Sequence, residues 1–480
     1  MAKNTAQPNP QPLVMKFGGT SVGSAEAITQ AVNIVTSHHT QYPQLVVVAS
    51  AMSGITNQLL TCARDAANGN WKGYTQGIST IESTHLDTIA ALVLSDGKRQ
   101  ALTVDIQGLI KQLRNYCASI ETMGEVTARG LDAIVSLGER MNVRQISALL
   151  DEMGYACRAV ETDKVIITDG AFQNARPLRK ETLERTRAVL APLLAAGVIP
   201  VVTGFIGATK NGVTTTLGRG GSDYSAAILG DCLDAQAVWT WTDVDGVMSA
   251  DPRIVADARV IERLSFDEVS EMAYFGAKVL HPKTMRPLIE RNIPLWVKNT
   301  FNPAHPGTCI SNQPSQKVGK LSCVTAIRDV SLITVRGKGM LGVPGVAART
   351  FSAVASNNAS VLMISQSSSE QSICFMIPSA DQAEVIASLE EELAYELERG
   401  DIDAVHAAPD VVIVTGIGAG MRNTPGVSAK IFSAVGAKEI NIIAIAQGSS
   451  EYSISLVVDK NDADLTVRQI HTEVIINGKQ

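Results

Sequence analysis

The chain has 480 residues, 45% of them hydrophobic and 18% charged, with 41 Lys and Arg against 47 Asp and Glu for a formal charge of −6. That is enough apolar material for two or three packed domains, while an acidic balance without a basic block argues against nucleic acid or an anionic membrane surface as the main partner. No apolar run approaches the ~20 residues needed to cross a bilayer, and the seven cysteines have no CxxC or other ligand spacing, which reads as reduced, mostly buried thiols in a cytoplasmic protein.

Residues 1–13, MAKNTAQPNPQPL, carry one lysine, no arginine and no apolar core. They read as a disordered tail and as neither a signal nor a transit peptide. Short aliphatic runs then alternate with helical patterns: LVMKF, QLVVVAS, KVIIT, VIPVVTGF, AVWTW and IPLWV. Strands that are apolar on both faces and separated by helices predict an α/β domain over 14–310, with a mostly parallel central sheet covered on both sides. Ligands of such sheets bind beyond the carboxyl ends of the strands.

The first motif, MKFGGTSVG, puts Lys16 at the end of the first strand with Gly18 and Gly19 just after it. Glycines there let backbone N–H groups approach a phosphate, and a helix starting near Gly23 to Glu26 adds its positive end. A tight strand-to-helix turn with a surface lysine is the alternative. It is not a Walker A loop, because Ser24 stands where that motif needs lysine. SAMSGITNQL, from Ser50, is either a ligand loop or an ordinary hydroxyl-rich turn after the second strand. In SLGER, Glu139 and Arg140 read from the residues as a solvated charge pair on a helix.

GFIGATKNGVTTTLG predicts a hairpin turning at Asn211-Gly212. The chain then passes through Gly218-Arg219-Gly220-Gly221 into a helix capped near Ser222, with Ala226, Leu229 and Leu233 at helical spacing. Arg219 and the helix N-terminus would face an anion together, and a planar guanidinium suits a carboxylate. Asp223 either complements the helix dipole or orients a metal-bound phosphate or the Lys16 ammonium. WTDVDGVMSADPR, Trp241 to Arg253, lacks the glycine position of an EF-hand and reads as a loop at a nucleotide edge or beside a metal. FGAKVLHP, from Phe275, supplies Lys278, and its His281 reads as a capping or structural histidine.

A texture change after NPAHPG places a domain boundary within Asn302 to Lys320. Beyond it, the stretch from Pro344 aligns without gaps on the stretch from Pro425, with roughly two residues in five identical. Each copy reads as βαββα, closed by a further strand as in ferredoxin-like folds. VVIVTGIGAGM falls inside the second copy, and Met421 occupies the third glycine's place in GxGxxG, so a dinucleotide fold is discarded.

Together and in this order, KFGGTS at 16–21, SGITN at 53–57, LGER at 137–140, TTTLGRGGSDYSAA at 214–227, WTDVDGV and ADPR within 241–253 and FGAKVLHP at 275–282 resemble the aspartate kinases of the amino acid kinase family. The resemblance covers nearly the whole chain after the tail. It implies an amino acid kinase-like three-layer α/β fold followed by two ferredoxin-like βαββαβ ACT domains, at 331–408 and 409–480, with 311–330 as linker and one ACT unit nested in the other. It implies ATP-dependent phosphorylation of the side-chain carboxylate of L-aspartate to 4-phospho-L-aspartate, the first step toward lysine, threonine, methionine and isoleucine, with ATP and Mg²⁺. A carboxylate is already ionised at neutral pH, so positioning and charge neutralisation must supply the catalysis and no general base is needed.

Residue by residue, the resemblance implies that Lys16 and Asp223 serve phosphoryl transfer. Ser50, Thr56, Glu139, Arg219 and Ser222 would hold aspartate, Arg219 on a carboxylate and Glu139 on the ammonium. Lys16, Gly18, Gly19, Thr242, Asp243, Met248, Arg253, Lys278 and Val279 would bind ATP, although the family commonly has tyrosine where this chain has Met248. Gln366 and Gln447 match effector-contacting glutamines of the threonine-sensitive branch, with lysine as the other effector considered. The chain ends at Gln480, which leaves no room for the homoserine dehydrogenase that usually follows in that branch. A homodimer or larger homo-oligomer through the ACT domains is implied. A non-catalytic amino acid sensor and another amino acid kinase are the alternatives.

Overall fold

The computed structural model describes residues 11–277, 280–313, 320–340, 345–366, 372–421, 424–447 and 452–477. Contacts divide the chain into two units, one of Met1–Val247, Glu262–Phe266 and Leu280–Gln313 and the other of Met248–Ile261, Asp267–Val279 and Pro314–Gln480. Among the described residues no helix is long and apolar enough to cross a membrane.

In the first unit the aliphatic runs become strands because both of their faces can be covered. β1 (Leu13–Phe17), β2 (Leu45–Ala49) and β5 (Ile199–Thr203) are buried at every position. With β3 (Cys157–Val160), β8 (Ala237–Thr242), β9 (Arg263–Ser265), β10 (Leu295–Asn299) and β11 (Thr308–Ser311) they make an eight-stranded sheet in the order β3-β5-β2-β1-β8-β10-β11-β9. All its pairings are parallel except β10 with β11. KVIIT is not part of it. Only β4 (Ile167–Thr168) of that run is extended, in a side sheet with β6 (Ile206–Thr209) and β7 (Thr214–Thr216). The edge place goes to CRAV, whose exposed Arg158 interrupts the apolar run that marks the inner strands. The predicted hairpin is present: β6 and β7 pair antiparallel, and Gly212 has φ 76° in the turn.

Helices α1 (Ala25–His39), α2 (Ile55–Ala67), α3 (Trp71–Ala91), α4 (Asp96–Met123), α5 (Ala128–Glu152), α6 (Arg179–Ala195) and α7 (Gly221–Cys232) follow their strands or cover the sheet. Ser24 caps α1 by accepting from the Ala27 N–H, the position expected from the sequence. Next come α8 (Phe266–Tyr274), which belongs to the second unit from Asp267 on, and α9 (Pro282–Arg291) of the first; His281 caps α9 by accepting from the Lys283 N–H, the structural role read for it. All seven cysteines are free thiols, four of them buried.

The second unit carries α10 (Val346–Ser356), α11 (Gln382–Glu392), α12 (Ala394–Arg399), α13 (Val427–Gly436) and α14 (Ala463–Ile470). Its sheet runs β13 (Met363–Gln366), β14 (Ser372–Pro378), β12 (Cys323–Arg336), β15 (Ala404–Ile417), β17 (Ser453–Asp459), β16 (Ala444–Ala446). The two central strands are each shared. The second half of β12 opens the first βαββαβ module, and the first half, Cys323–Ile327, pairs with Thr415, Gly416 and their neighbours to close the second. The first module is therefore inserted into the second, and strand occupies part of the stretch 311–330 read as linker. Each module has its own core, one around Ile333, Phe375 and Leu389 and the other around Val414, Ile431 and Leu456. Ala250 and Val255 join the second core, so this piece of the expected 14–310 domain packs with the second unit.

Phe375 is fully buried and packs its ring 5.6 Å from that of Phe351. Phe375→Ala should cost about 3–5 kcal/mol, read as a lower denaturation midpoint by circular dichroism. Tryptophan emission should move less, because all four tryptophans lie in the first unit.

Candidate active site

Lys16 leaves the carboxyl end of β1 and Asp223 stands in the first turn of α7, so the end of a central strand and the start of a helix meet. Lys16 Nζ lies 2.7 Å from Asp223 Oδ1, with the side chains 9% and 21% exposed. Taking an ion pair this far out of water costs several kcal/mol per charge before its mutual attraction is counted. Hydrophobic packing would serve stability as well, so the pair points to chemistry.

α7 begins where it does because Gly218 and Gly220 turn the chain through left-handed backbone, φ 77° and 71°. Gly220 is the N-cap, so Ser222 lies inside the first turn and is not the cap expected from the sequence; the sharp turn requires glycine at the boundary. Ser222 in turn fixes Gly204, where an added Cβ would lie 2.5 Å from the Ser222 hydroxyl. Arg219, at the tip of this turn, is exposed and makes no ion pair among the described residues.

The loop after β2 is held from below by α5. Glu139 Oε1 accepts from the Ala51 N–H at 3.2 Å, and Asn142 Nδ2 donates to the Ser50 carbonyl at 2.6 Å. Gln145 continues the network, donating to Asn142 Oδ1 and meeting His85 Nδ1 at 3.3 Å. Glu139 is 3% exposed, which corrects the reading of Glu139 and Arg140 as a solvated pair. Its neighbour Arg140 turns the other way, to Glu161, to Asp163 at 2.8 Å and to Thr214 at 3.2 Å. Glu139 Oε2 has no hydrogen-bond partner among the described residues, and burial pushes its carboxyl up to about 8. A buried carboxylate with one oxygen unpaired is a receptor for a cation.

These parts surround one cavity of about 690 Å³. β1, β8 and the turns after them contribute Lys16, Gly18, Gly19 and Thr242. The β2 loop, α2, α5 and α7 with its preceding turn contribute Ser50, Thr56, Glu139, Arg219, Ser222 and Asp223. Asp243 is exposed beside the cavity and accepts from the Thr242 hydroxyl at 3.1 Å. Met248 and Arg253 belong to the second unit, where Met248 bridges to Val260 and Arg253 pairs with Asp251 at 2.5 Å. Lys278 and Val279 lie outside the described residues. Gln366 and Gln447 are exposed in the second unit, one ending β13 and the other just after β16.

Sequence reasoning missed Asp132, Gln173 and Phe205, which also line the cavity. Asp132 was within reach: it precedes Glu139 by seven residues, about two helical turns, and so shares its face of α5. Gln173 and Phe205 carry no such signal. Both have φ 67°, a conformation uncommon outside glycine and found at functional sites when the surroundings enforce it. Among the described residues no group of three or more His, Cys, Asp or Glu could hold a metal ion.

The family model described as "Amino acid kinase family" matches residues 11–299, more than half of the chain. The chain belongs to the amino acid kinase family. An ACT domain model matches 333–393 and 414–474, the two modules of the second unit. Among curated amino acid kinase relatives, the chain is 36% identical over 469 residues to bifunctional aspartokinase/homoserine dehydrogenase 1, chloroplastic, of Zea mays, covering 97% of this chain and 50% of that one. It is 34% identical to aspartokinase 3, chloroplastic, of Arabidopsis thaliana, covering 96% of this chain and 81% of that one. The chain thus spans about half the length of the bifunctional relatives it matches. Among solved structures, E. coli aspartokinase III in complex with aspartate and ADP (R-state) aligns with TM-score 0.78 and 29% identity, covering 97% of this chain and 100% of that one.

The Glu139 carboxyl gives a pH test. The folded protein holds this proton up to about 8, whereas an unperturbed glutamate releases it near 4.5, so stability falls as pH rises through that window. Glu139→Gln removes the loss. Its melting temperature should drop less between pH 6 and pH 8.5 than that of the wild type, measured by scanning calorimetry.

Proposed function

We propose that the chain is an aspartate kinase that transfers the γ-phosphoryl group of ATP to the side-chain carboxylate of L-aspartate. The observation that carries this reading is the buried Lys16–Asp223 pair in a cavity that also holds Arg219 and the unpaired oxygen of Glu139. An amino acid with two carboxylates needs a cationic grip, an anionic receptor for its ammonium and a cation near the attacking carboxylate; Arg219, Glu139 and Lys16 supply the three. Relatives bearing the aspartokinase name, and a similar structure containing aspartate and ADP, support the same substrates.

In this reading Arg219 binds the α-carboxylate as a fork, and Glu139, ionised on contact with the ammonium, orients the molecule. Lys16 faces the negative charge that spreads over the transferring group, and Asp223 keeps its ammonium aimed there. Gly18 and Gly19 bring backbone N–H groups toward the phosphates at the start of α1. Mg²⁺ suits this site as an ion carried on the nucleotide's phosphates, since among the described residues protein carboxylates are not clustered to cage it; when bound it neutralises phosphate charge. Thr242 and Asp243 are the further nucleotide contacts proposed in the first unit; for Met248, Arg253, Lys278 and Val279 the proposal rests on the resemblance to aspartate kinases alone.

The paired ACT modules are proposed to bind an amino acid end product, threonine first and lysine as the alternative, through Gln366 and Gln447. Gln366 ends β13 and Gln447 directly follows β16, and Ser365 Oγ donates to the Ile445 carbonyl at 3.2 Å, which links β13 to β16. Exposed Ile364, Ile443 and Ile445 on and beside these two edge strands support association between chains there. Inhibition acting on binding requires that effector and substrate each weaken the other.

With Mg²⁺-ATP and L-aspartate the protein should form an acyl phosphate trapped by hydroxylamine as the hydroxamate, and threonine should suppress it; absence of hydroxamate contradicts the reading. Lys16→Ala should lower kcat by about 10²–10³-fold, the loss typical of one charge-stabilising group. Arg219→Ala should instead act mainly on the aspartate KM, raising it on the order of 10–100-fold, since it removes a ground-state contact.

A further inference from the structure

α5 carries a second buried carboxylate, two turns before Glu139, that the proposed reaction does not use. Asp132 is 0% exposed. Its Oδ1 accepts from the Thr216 hydroxyl at 2.7 Å, its Oδ2 from the Thr216 N–H at 2.9 Å, and the Gln173 N–H approaches both oxygens, at 3.1 and 3.0 Å. Burial holds this carboxyl above the usual carboxylate range even though all three donors pull it down. A charge kept in such a place without a cation is costly, so what its hydrogen bonds accomplish matters.

They tie together two segments that share no regular ladder. Gln173 is in the left-handed region, and Thr216 is the last residue of β7, two positions ahead of Gly218. The Ala175 N–H donates to the Thr216 carbonyl at 2.9 Å, a second link between the same segments. The turn carrying Arg219 rests on this platform: a Cβ at Gly218 would lie 2.9 Å from the Gln173 carbonyl oxygen and 3.1 Å from Asn174 Oδ1. Asn174 is itself held, its Oδ1 accepting from Lys283 Nζ at 2.7 Å. A turn with two left-handed glycines has little stiffness of its own, so its place in the cavity is set by what lies beneath it.

We propose that Asp132 is a positioning residue for substrate recognition: through Thr216 and Gln173 it sets where the Gly218–Gly220 turn holds Arg219, and thereby fixes affinity for the substrate carboxylate. The inference rests on the reading of Arg219 as the carboxylate grip. Asparagine at this position would aim an N–H₂ group at backbone donors, leaving them unpaired.

The test is steady-state kinetics of the full chain with Mg²⁺-ATP and varied L-aspartate. Asp132→Asn should raise the aspartate KM about tenfold while kcat and the ATP KM stay within about twofold. In an Arg219→Ala background the same change should have little effect, because residues acting as a unit are non-additive. Equal losses in both KM values, or full multiplicativity with Arg219→Ala, would overturn the proposal. Should Asp132→Asn fail to fold, Thr216 decides. Thr216→Val, which loses the 2.7 Å bond, should raise the aspartate KM and Thr216→Ser should restore it, whereas a wild-type KM in Thr216→Val overturns the proposal. Wild-type protein inactive with L-aspartate would instead sink the substrate reading, and this inference with it.

Discussion

The ion pair between Lys16 and Asp223 is the constraint around which the first unit is arranged. It can form only if the end of β1 faces the start of α7. β1 must therefore sit between β2 and β8, and the chain must reach α7 through a turn tight enough to put Asp223 in the first helical turn. The register of β1 with β8, Lys16 opposite Thr240 and Phe17 opposite Trp241, and the left-handed glycines before α7 meet these two demands. An ammonium held at 2.7 Å in a wall of low dielectric interacts strongly with any charge that develops nearby, which is what phosphoryl transfer between anions requires.

The second organising element is α5, which acts as a ruler. Asp132, Glu139 and Asn142 lie along one side of it and fix the backbone around the cavity: Asp132 holds Thr216 and Gln173, while Glu139 and Asn142 hold adjacent residues of the loop after β2, Ala51 and Ser50. Loops positioned by side chains of a single rigid helix keep their mutual spacing, and spacing within fractions of an ångström is what separates binding from catalysis. The charges on another side of the same stretch are satisfied separately, Arg140 and Arg144 both pairing with Glu161.

Much of this was legible in the sequence because it rests on local rules. Apolar runs between helices marked the inner strands, Asn211-Gly212 marked the hairpin, and the repeat from Pro344 and Pro425 marked two modules. Lys16, Arg219 and Asp223 stood out as charges beside glycines. What was not legible depends on the far side of each contact. Glu139 reads as a surface charge until β2's loop is laid over it. Asp132 shares the face of Glu139, but nothing near it in the sequence shows that Thr216 and Gln173 lie against it. Nothing in KVIIT distinguishes a strand of the main sheet from a two-residue strand of a side sheet, since both are apolar runs. Cys323–Ile327 is an apolar run that reads together with the polar stretch before it as linker, and only its pairing with β15 shows its part in the second module.

In the proposed reaction the cavity receives an amino acid with its carboxylate on Arg219 and its ammonium on Glu139. Calorimetric titration of L-aspartate at pH 7, repeated in buffers of different ionisation enthalpy, counts the protons exchanged on binding. A Glu139 carboxyl that titrates near 8 is mostly protonated at that pH and must ionise to meet an ammonium, so close to one proton should be released per aspartate bound, and Glu139→Gln should abolish the release. Binding of L-aspartate with no proton exchange, or with the same exchange in Glu139→Gln, would contradict the account.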